Sequence, residues 1–171
     1  MGSSKRPTSG NSPYFNDEMG AAVGAAMAAG DTMLLGRRTY EDFASYWPHQ
    51  GSDMEMADQM NATPKLVAST TLDTVEWQNS TLIKGNVAEE LTRLKQQPGK
   101  NINITGSGTL VRSFLRAGVL DELQLLVHPI VIGHGKRLFD EIGAQVPLAL
   151  TDSRTLSTGV LVLTYAPART N

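Results

Sequence analysis

Two glycine-bearing junctions hold the residue types best suited to chemistry in this chain. In the first, Leu34-Leu35-Gly36-Arg37-Arg38-Thr39-Tyr40, an apolar run stops at a glycine and gives way to two adjacent arginines and an amphipathic segment. A helix beginning there presents unpaired backbone N–H groups and the positive end of its dipole, and two guanidinium forks match phosphate oxygens. The chemistry on offer is the binding of a phosphate or pyrophosphate; the competing reading is a solvated loop. In the second, Thr105-Gly106-Ser107-Gly108-Thr109, glycines between a strand and a helix let the backbone approach a ligand closely. Val111 stands where a third glycine of GxGxxG would sit, and GxSxG does not fit either, so Ser107 is a poor candidate for a hydrolase nucleophile. A tight turn that needs glycine is the competing reading here.

Other reactive types are sparse. His49, His128 and His134 are the only histidines, and none has the spacing of a metal-binding motif. His128 lies in a strand-like run and reads as a hydrogen-bonded core residue, while His134 sits in the cationic stretch Gly133-His134-Gly135-Lys136-Arg137 and reads as solvated. Met54, Met56 and Met60 read as packing rather than a binding surface. Three Asn-x-Thr matches at Asn61, Asn79 and Asn103 are taken as chance.

The elements that must position the two junctions alternate between helical and strand-like patterns. Met19, Val23, Ala26 and Met27 recur at helical spacing after a candidate cap at Asn16, with Gly30 as the stop. A strand over Thr32–Leu35 precedes a helix over Thr39–Trp47, and Pro48 ends it. Ser52 and Glu55 have capping-box spacing before a short helix that Pro64 closes. Lys65–Thr70 and Ser80–Ile83 read as strands, and Asn86 and Glu89 open a helix with Leu91 and Leu94 inside. Asn101–Thr105 is a strand, and Thr109–Ala117 a helix stopped by Gly118. The apolar run Leu123–Ile132 predicts a strand covered on both faces and central in its sheet. Leu148–Thr155 and Val160–Ala166 predict a closing antiparallel hairpin turning at Ser157-Thr158-Gly159. The fold class is therefore α/β: a three-layer α/β/α arrangement with a mixed, mostly parallel sheet and a C-terminal antiparallel hairpin.

At 171 residues the chain is read as one domain over 13–171, preceded by a Ser-, Gly- and Pro-rich flexible lead over 1–12. A net charge of -2 supplies no general field for nucleic acid, so any anion site is local. No cysteine is present, which removes disulfides and thiolate metal sites, and no apolar run is long enough to span a bilayer. A cytoplasmic protein without a metal, membrane or nucleic-acid partner is expected.

Taken in order, the segments PYFNDEMG, LLGRRTYEDFASYWP, KLVAST, NITGSGTLVRSFLRAGVLDELQLLVHPIVIGHGKRLF and the closing hairpin resemble the dihydrofolate-reductase-like superfamily. Within it they resemble the bacterial group similar to the C-terminal reductase domain of the bifunctional riboflavin-biosynthesis deaminase/reductase. That resemblance implies NADPH-dependent hydride transfer to a small heterocyclic or carbonyl/imine substrate. Carried over by motif, Gly36, Arg37, Arg38 and Thr39 would hold the cofactor phosphates, with an arginine on the 2′-phosphate. Ser69 and Thr70 would lie by the adenosine half, Gly106, Ser107, Gly108, Thr109 and Leu110 would cradle the pyrophosphate, and Phe43 would face the substrate. It also implies a homodimer, for which the LQLLVHPIVIG run and the hairpin offer a surface.

One departure stands out. Relatives begin with a strand that lies centrally in the sheet and lines the nicotinamide site, whereas this chain has KRPTSGNS there. Three arrangements accommodate this: the strand lies outside this chain, another chain supplies it, or the flanking strands NINIT and LQLLVHPI pair directly across the gap. The catalytic proton donor is unassigned, with Asp17 and Glu18 the nearest acids. A relative that binds ligand without redox chemistry is the alternative function. The deaminase half is excluded, since its zinc signature is absent.

Overall fold

Local signals account for most element boundaries. The computed structural model describes residues 13–51, 54–140 and 143–168. The expected lead and the region of the missing strand both fall largely outside them. The helices are α1 (Asp17–Ala28), α2 (Arg37–Tyr46), α3 (Glu55–Ala62), α4 (Val87–Leu94) and α5 (Gly108–Ala117). The strands are β1 (Gly30–Gly36), β2 (Lys65–Ala68), β3 (Ser80–Ile83), β4 (Asn101–Gly106), β5 (Leu123–Val127), β6 (Leu148–Thr155) and β7 (Leu161–Pro167). Asn16 caps α1 by accepting from the Met19 N–H at 3.0 Å. Asn86 caps α4 by accepting from Ala88 and Glu89, and Gly118 ends α5 in the left-handed conformation at φ 68°.

Several boundaries differ from the sequence reading. Gly30 opens β1 rather than merely stopping α1, and α2 starts at Arg37, two residues before Thr39. Trp47-Pro48-His49 add a single 3-10 turn beyond α2, because proline is tolerated at the start of a helical turn, where its missing N–H is not needed. Helix α3 takes Met54 as its N-cap with no side-chain bond, so no capping box forms there; Ser52 lies outside the described residues.

Contacts gather in two compact units. The larger comprises Ala28–Leu120 with Arg137–Val146. Its sheet is parallel throughout, in the order β3-β2-β1-β4. Side chains alternate across a strand, so Leu34 and its neighbours Met33 and Leu35 point to opposite faces, and all three are buried. Leu34 packs with Leu91 of α4 and Phe114 of α5. On the other face Met33 and Leu35 stand beside their register partners Lys65 and Val67, and the Lys65 ammonium reaches the carbonyls of Asn61 and Thr63 at the end of α3. At β1 both faces are therefore covered, and Met33-Leu34-Leu35 reads as an apolar run because neither face meets water there.

Among the described residues the smaller unit comprises 13–27, Asp121–Lys136 and 147–168. Here β5, β7 and β6 form an antiparallel sheet in that order. Met19 and Ala22 of α1 pack on Leu156, Val160 and Val162. Glu18 accepts from the Ser157 N–H at 2.8 Å and from its hydroxyl at 2.6 Å, which fastens α1 to the hairpin turn.

The mixed α/β class is observed, with parallel strands first and the antiparallel hairpin last. One expectation is corrected. The Leu123–Ile132 run does not form one central strand: β5 ends at Val127, occupies a sheet edge, and leaves Val131 95% exposed. Pro129 lacks the N–H that a continuing ladder would need.

Candidate functional site

Parallel pairing decides what stands next to what at the carboxyl ends of the strands. The register aligns Gly36 with Ala68 of β2 and Leu35 with Gly106 of β4. The loop after β1 therefore lies between the loop after β2 and the loop after β4, all within the larger unit. Ligands in open α/β sheets bind at this edge.

The two glycine junctions touch. A Cβ placed on Gly36 would meet the Ser107 hydroxyl oxygen at 3.2 Å and the Leu110 Cδ1 at 3.4 Å. One placed on Gly106, at φ +154°, would lie 2.9 Å from the Thr39 Oγ1. Gly106 has no room for a side chain, and at Gly36 the Ser107 hydroxyl would have to give by a few tenths of an ångström, so glycine at both positions lets the N-termini of α2 and α5 come close together. The Gly106-Ser107 peptide bond is cis.

Both helix starts are free of internal competition. Gly36 caps α2 and Ser107 caps α5 in extended conformation, each without a side-chain cap bond, and neither first turn contains an acidic residue. Unpaired N–H groups and two dipole ends therefore converge on one spot with no carboxylate among the first-turn residues to neutralise them. Arg37 and Arg38 are exposed beside it. Arg37 Nη1 donates to both Glu41 carboxylate oxygens, at 3.3 and 3.4 Å, an exposed pair on one helical turn that an incoming anion can exchange at little cost.

The remaining expected residues fall in distinct settings. Ser69 is buried and its hydroxyl accepts from the N–H groups of Thr71 and Leu72, so it shapes the turn after β2 instead of standing ready for a ligand. Thr70 beside it is exposed. Thr109 Oγ1 accepts from Arg112 Nη2 at 3.3 Å, and Phe43 lies edge-on to Trp47 with ring centroids 6.4 Å apart. The Glu18 carboxylate is held below the usual range by the Ser157 hydroxyl and then its N–H, and so serves as an ionised clamp. That tells against Glu18 as a proton donor.

Arg112 was not singled out from the sequence. Its Nη1 donates to the carbonyls of Arg137 and Leu138 at 3.2 and 3.1 Å, tying that segment to the first turns of α5, with Leu138 Cδ1 3.6 Å from a Cβ built on Gly108. Its spacing three residues after Thr109 on a helix was the only available signal.

Comparison with known proteins agrees with this architecture. The model of the RibD C-terminal domain matches residues 1–162. The chain belongs to the RibD C-terminal domain family. The Bacillus subtilis (strain 168) protein YyaP is 33% identical over 138 residues, which is 79% of this chain and 73% of that protein. A putative riboflavin biosynthesis protein from Shewanella sp. PV-4 shares the fold at a TM-score of 0.71 and 22% identity, covering 95% of this chain and 84% of its own. A deaminase/5-amino-6-(5-phosphoribosylamino)uracil reductase from Thermotoga maritima superimposes at 0.63 with 10% identity, over 93% of this chain and 51% of its own. Within the RibD C-terminal domain fold, the cradle of Gly36, Gly106 and two helix N-termini is what this sequence builds at the strand ends.

Proposed function

We propose that this protein is an NADPH-dependent reductase that transfers hydride to a small heterocyclic or carbonyl/imine compound. The observation that carries the reading is the meeting of two uncapped helix N-termini across Gly36 and Gly106, flanked by Arg37 and Arg38. The donor set fits a dinucleotide: backbone N–H groups for a pyrophosphate and guanidinium forks for a 2′-phosphate. Membership of a family that includes riboflavin-pathway reductase domains supports it.

In this reading Gly36, Thr39 and Gly106–Leu110 hold the pyrophosphate, and one of the arginines reads the 2′-phosphate and so distinguishes NADPH from NADH. Thr70 and the turn built by Ser69 flank the adenosine half, and Phe43 faces the substrate. Bound NADPH would supply the hydride, while the protein fixes its orientation toward the acceptor. A second reading, dinucleotide binding without turnover, is favoured by the engagement of Glu18 with Ser157.

Quenching of Trp47 and Trp77 fluorescence by NADPH and NADH tests the reading. NADPH should bind at least about tenfold more tightly than NADH, and Arg37→Ala or Arg38→Ala should lose most of that preference. Binding of neither nucleotide would refute it, and binding without NADPH oxidation across a panel of carbonyl and imine acceptors would select the second reading.

The proposal includes a cytoplasmic homodimer. Absence of cysteine suits a reducing compartment, and no described helix is long and apolar enough to cross a membrane. In the antiparallel sheet, register places Leu125, Val127, Leu150, Leu161, Leu163 and Tyr165 on the face opposite Val162 and Thr164. Val127, Leu150 and Leu161 are 45%, 55% and 36% exposed. This apolar set contains no charge, so a second copy can meet it without like-charge repulsion.

A further inference from the structure

Arg112 stands one helical turn beyond Gly108 on α5, and helical side chains lean back toward the N-terminus, so its guanidinium lies over the first turn of the helix. Its Nη1 is 3.9 Å from a Cβ built on Gly108, and its Nη2 donates to Thr109 Oγ1 at 3.3 Å. That first turn is the one that opens onto the cradle. The Val111 N–H bonds the Ser107 carbonyl at 3.2 Å, which leaves the N–H groups of Gly108, Thr109 and Leu110 ahead of the helical ladder.

The acceptors of this guanidinium are all neutral. Nη1 donates to the carbonyls of Arg137 and Leu138, Nη2 to the Thr109 hydroxyl, and among the described residues no carboxylate pairs with it. Arg37 differs, because Glu41 meets its charge. A half-buried cation held only by neutral oxygens has lost part of its water without gaining a counter-charge. Its five N–H groups are not exhausted either: the Nε–H and one N–H of Nη2 have no acceptor among the described residues. A fixed guanidinium with donors to spare, set over the N–H groups of a helix start, suits a multiply charged phosphate.

We propose that Arg112 is a pyrophosphate-binding residue, the fixed positive charge of the cradle, and that its bonds to Arg137 and Leu138 hold the guanidinium in place for that ligand. The inference rests on reading the cradle as a pyrophosphate site. It divides the work among the arginines: Arg112 sets affinity for the diphosphate whatever nucleoside it carries, while discrimination of the 2′-phosphate stays with Arg37 or Arg38.

The full chain is titrated with inorganic pyrophosphate, NADPH and NADH by calorimetry, and the Arg112 Nε–H of the unaltered chain is followed by NMR as pyrophosphate is added. Pyrophosphate should bind with a dissociation constant on the order of millimolar or tighter and shift that signal. Arg112→Gln should weaken pyrophosphate at least about tenfold and both dinucleotides by the same factor, so that the ratio of NADPH to NADH affinity is unchanged. Arg112→Lys keeps the charge and should lose less than about threefold, and the deficit of the Gln variant should shrink between about 50 and about 500 mM salt. A role confined to strapping residues 137–138 predicts equal losses in the two variants, indifferent to salt, and that result overturns the proposal. So does an unmoved Arg112 signal in the unaltered chain, or no pyrophosphate binding up to roughly 10 mM. Arg112-dependent pyrophosphate binding without binding of either dinucleotide would uphold this assignment and refute the NADPH reading, so the two fail separately.

Discussion

Gly106 and Lys65 show how single positions serve this fold. Gly106 faces Thr39 so closely that a methyl group must displace backbone or the Thr39 side chain. Gly106→Ala should therefore weaken nucleotide binding at least about tenfold and lower stability by about 1–3 kcal/mol. Adding Thr39→Ala should recover part of the stability loss in a denaturant double-mutant cycle, because the 2.9 Å clash then has no partner. Lys65 is 1% exposed, and its ammonium donates to the carbonyls of Asn61, Thr63 and Gln78 at 3.1, 2.7 and 3.1 Å while lying 4.1 Å above the Trp77 ring. Those contacts favour the charged form, but burial outweighs them and lowers its pKa to about 8 from 10.5. The folded state thus releases this proton before the unfolded chain does, so stability should rise between about pH 8 and pH 10.5, and below pH 8 the protonated lysine carries a penalty on the order of 3 kcal/mol. Lys65→Met should abolish that slope in urea melts across the same pH range while exposing the cost of three unpaired carbonyls.

At the scale of elements, short-range chemistry sets helix starts wherever a side chain can reach its own backbone. Asn86 accepts from two N–H groups of α4, so Asn86→Ala should lower stability by about 1 kcal/mol, measured by denaturant unfolding, and leave nucleotide affinity unchanged. The Asn86, Asn16 and Gly118 signals were legible because each acts within four residues of itself. The Ser52 and Glu55 spacing looked equally good, yet α3 starts from Met54, since a capping pattern states only what a side chain can do. The reading of β5 failed for another reason. An apolar run specifies burial of its side chains but not which neighbour buries them, and Ile130, Val131 and Ile132 remain exposed beyond Pro129. The Ser69 hydroxyl is a different matter: a motif gives the residue's place at the end of β2, and only the fold shows that its oxygen accepts from the N–H groups of the turn.

For the whole molecule, the uncharged face of the β5-β7-β6 sheet is the feature with the largest consequence. If a second copy covers it, Val127→Asp and Leu150→Asp should each convert the dimer to a monomer in analytical ultracentrifugation, because a carboxylate facing apolar surface loses its water without gaining a partner. A dimer that persists in both variants would place the contact elsewhere.

Composition, period and capping patterns by themselves determined the α/β class, the order of helices and strands, and the two glycine junctions where an anion can be held. Those properties depend on neighbours in the chain. That the junctions form one cradle was decided only in three dimensions, since Gly36 and Gly106 lie far apart in sequence and meet through the parallel pairing of β1 with β4. Tertiary structure likewise decided that Arg112 ties down Arg137 and Leu138 and that Ser69 is occupied. Non-local pairing assigns each surface its neighbour, and no single stretch of sequence records that choice.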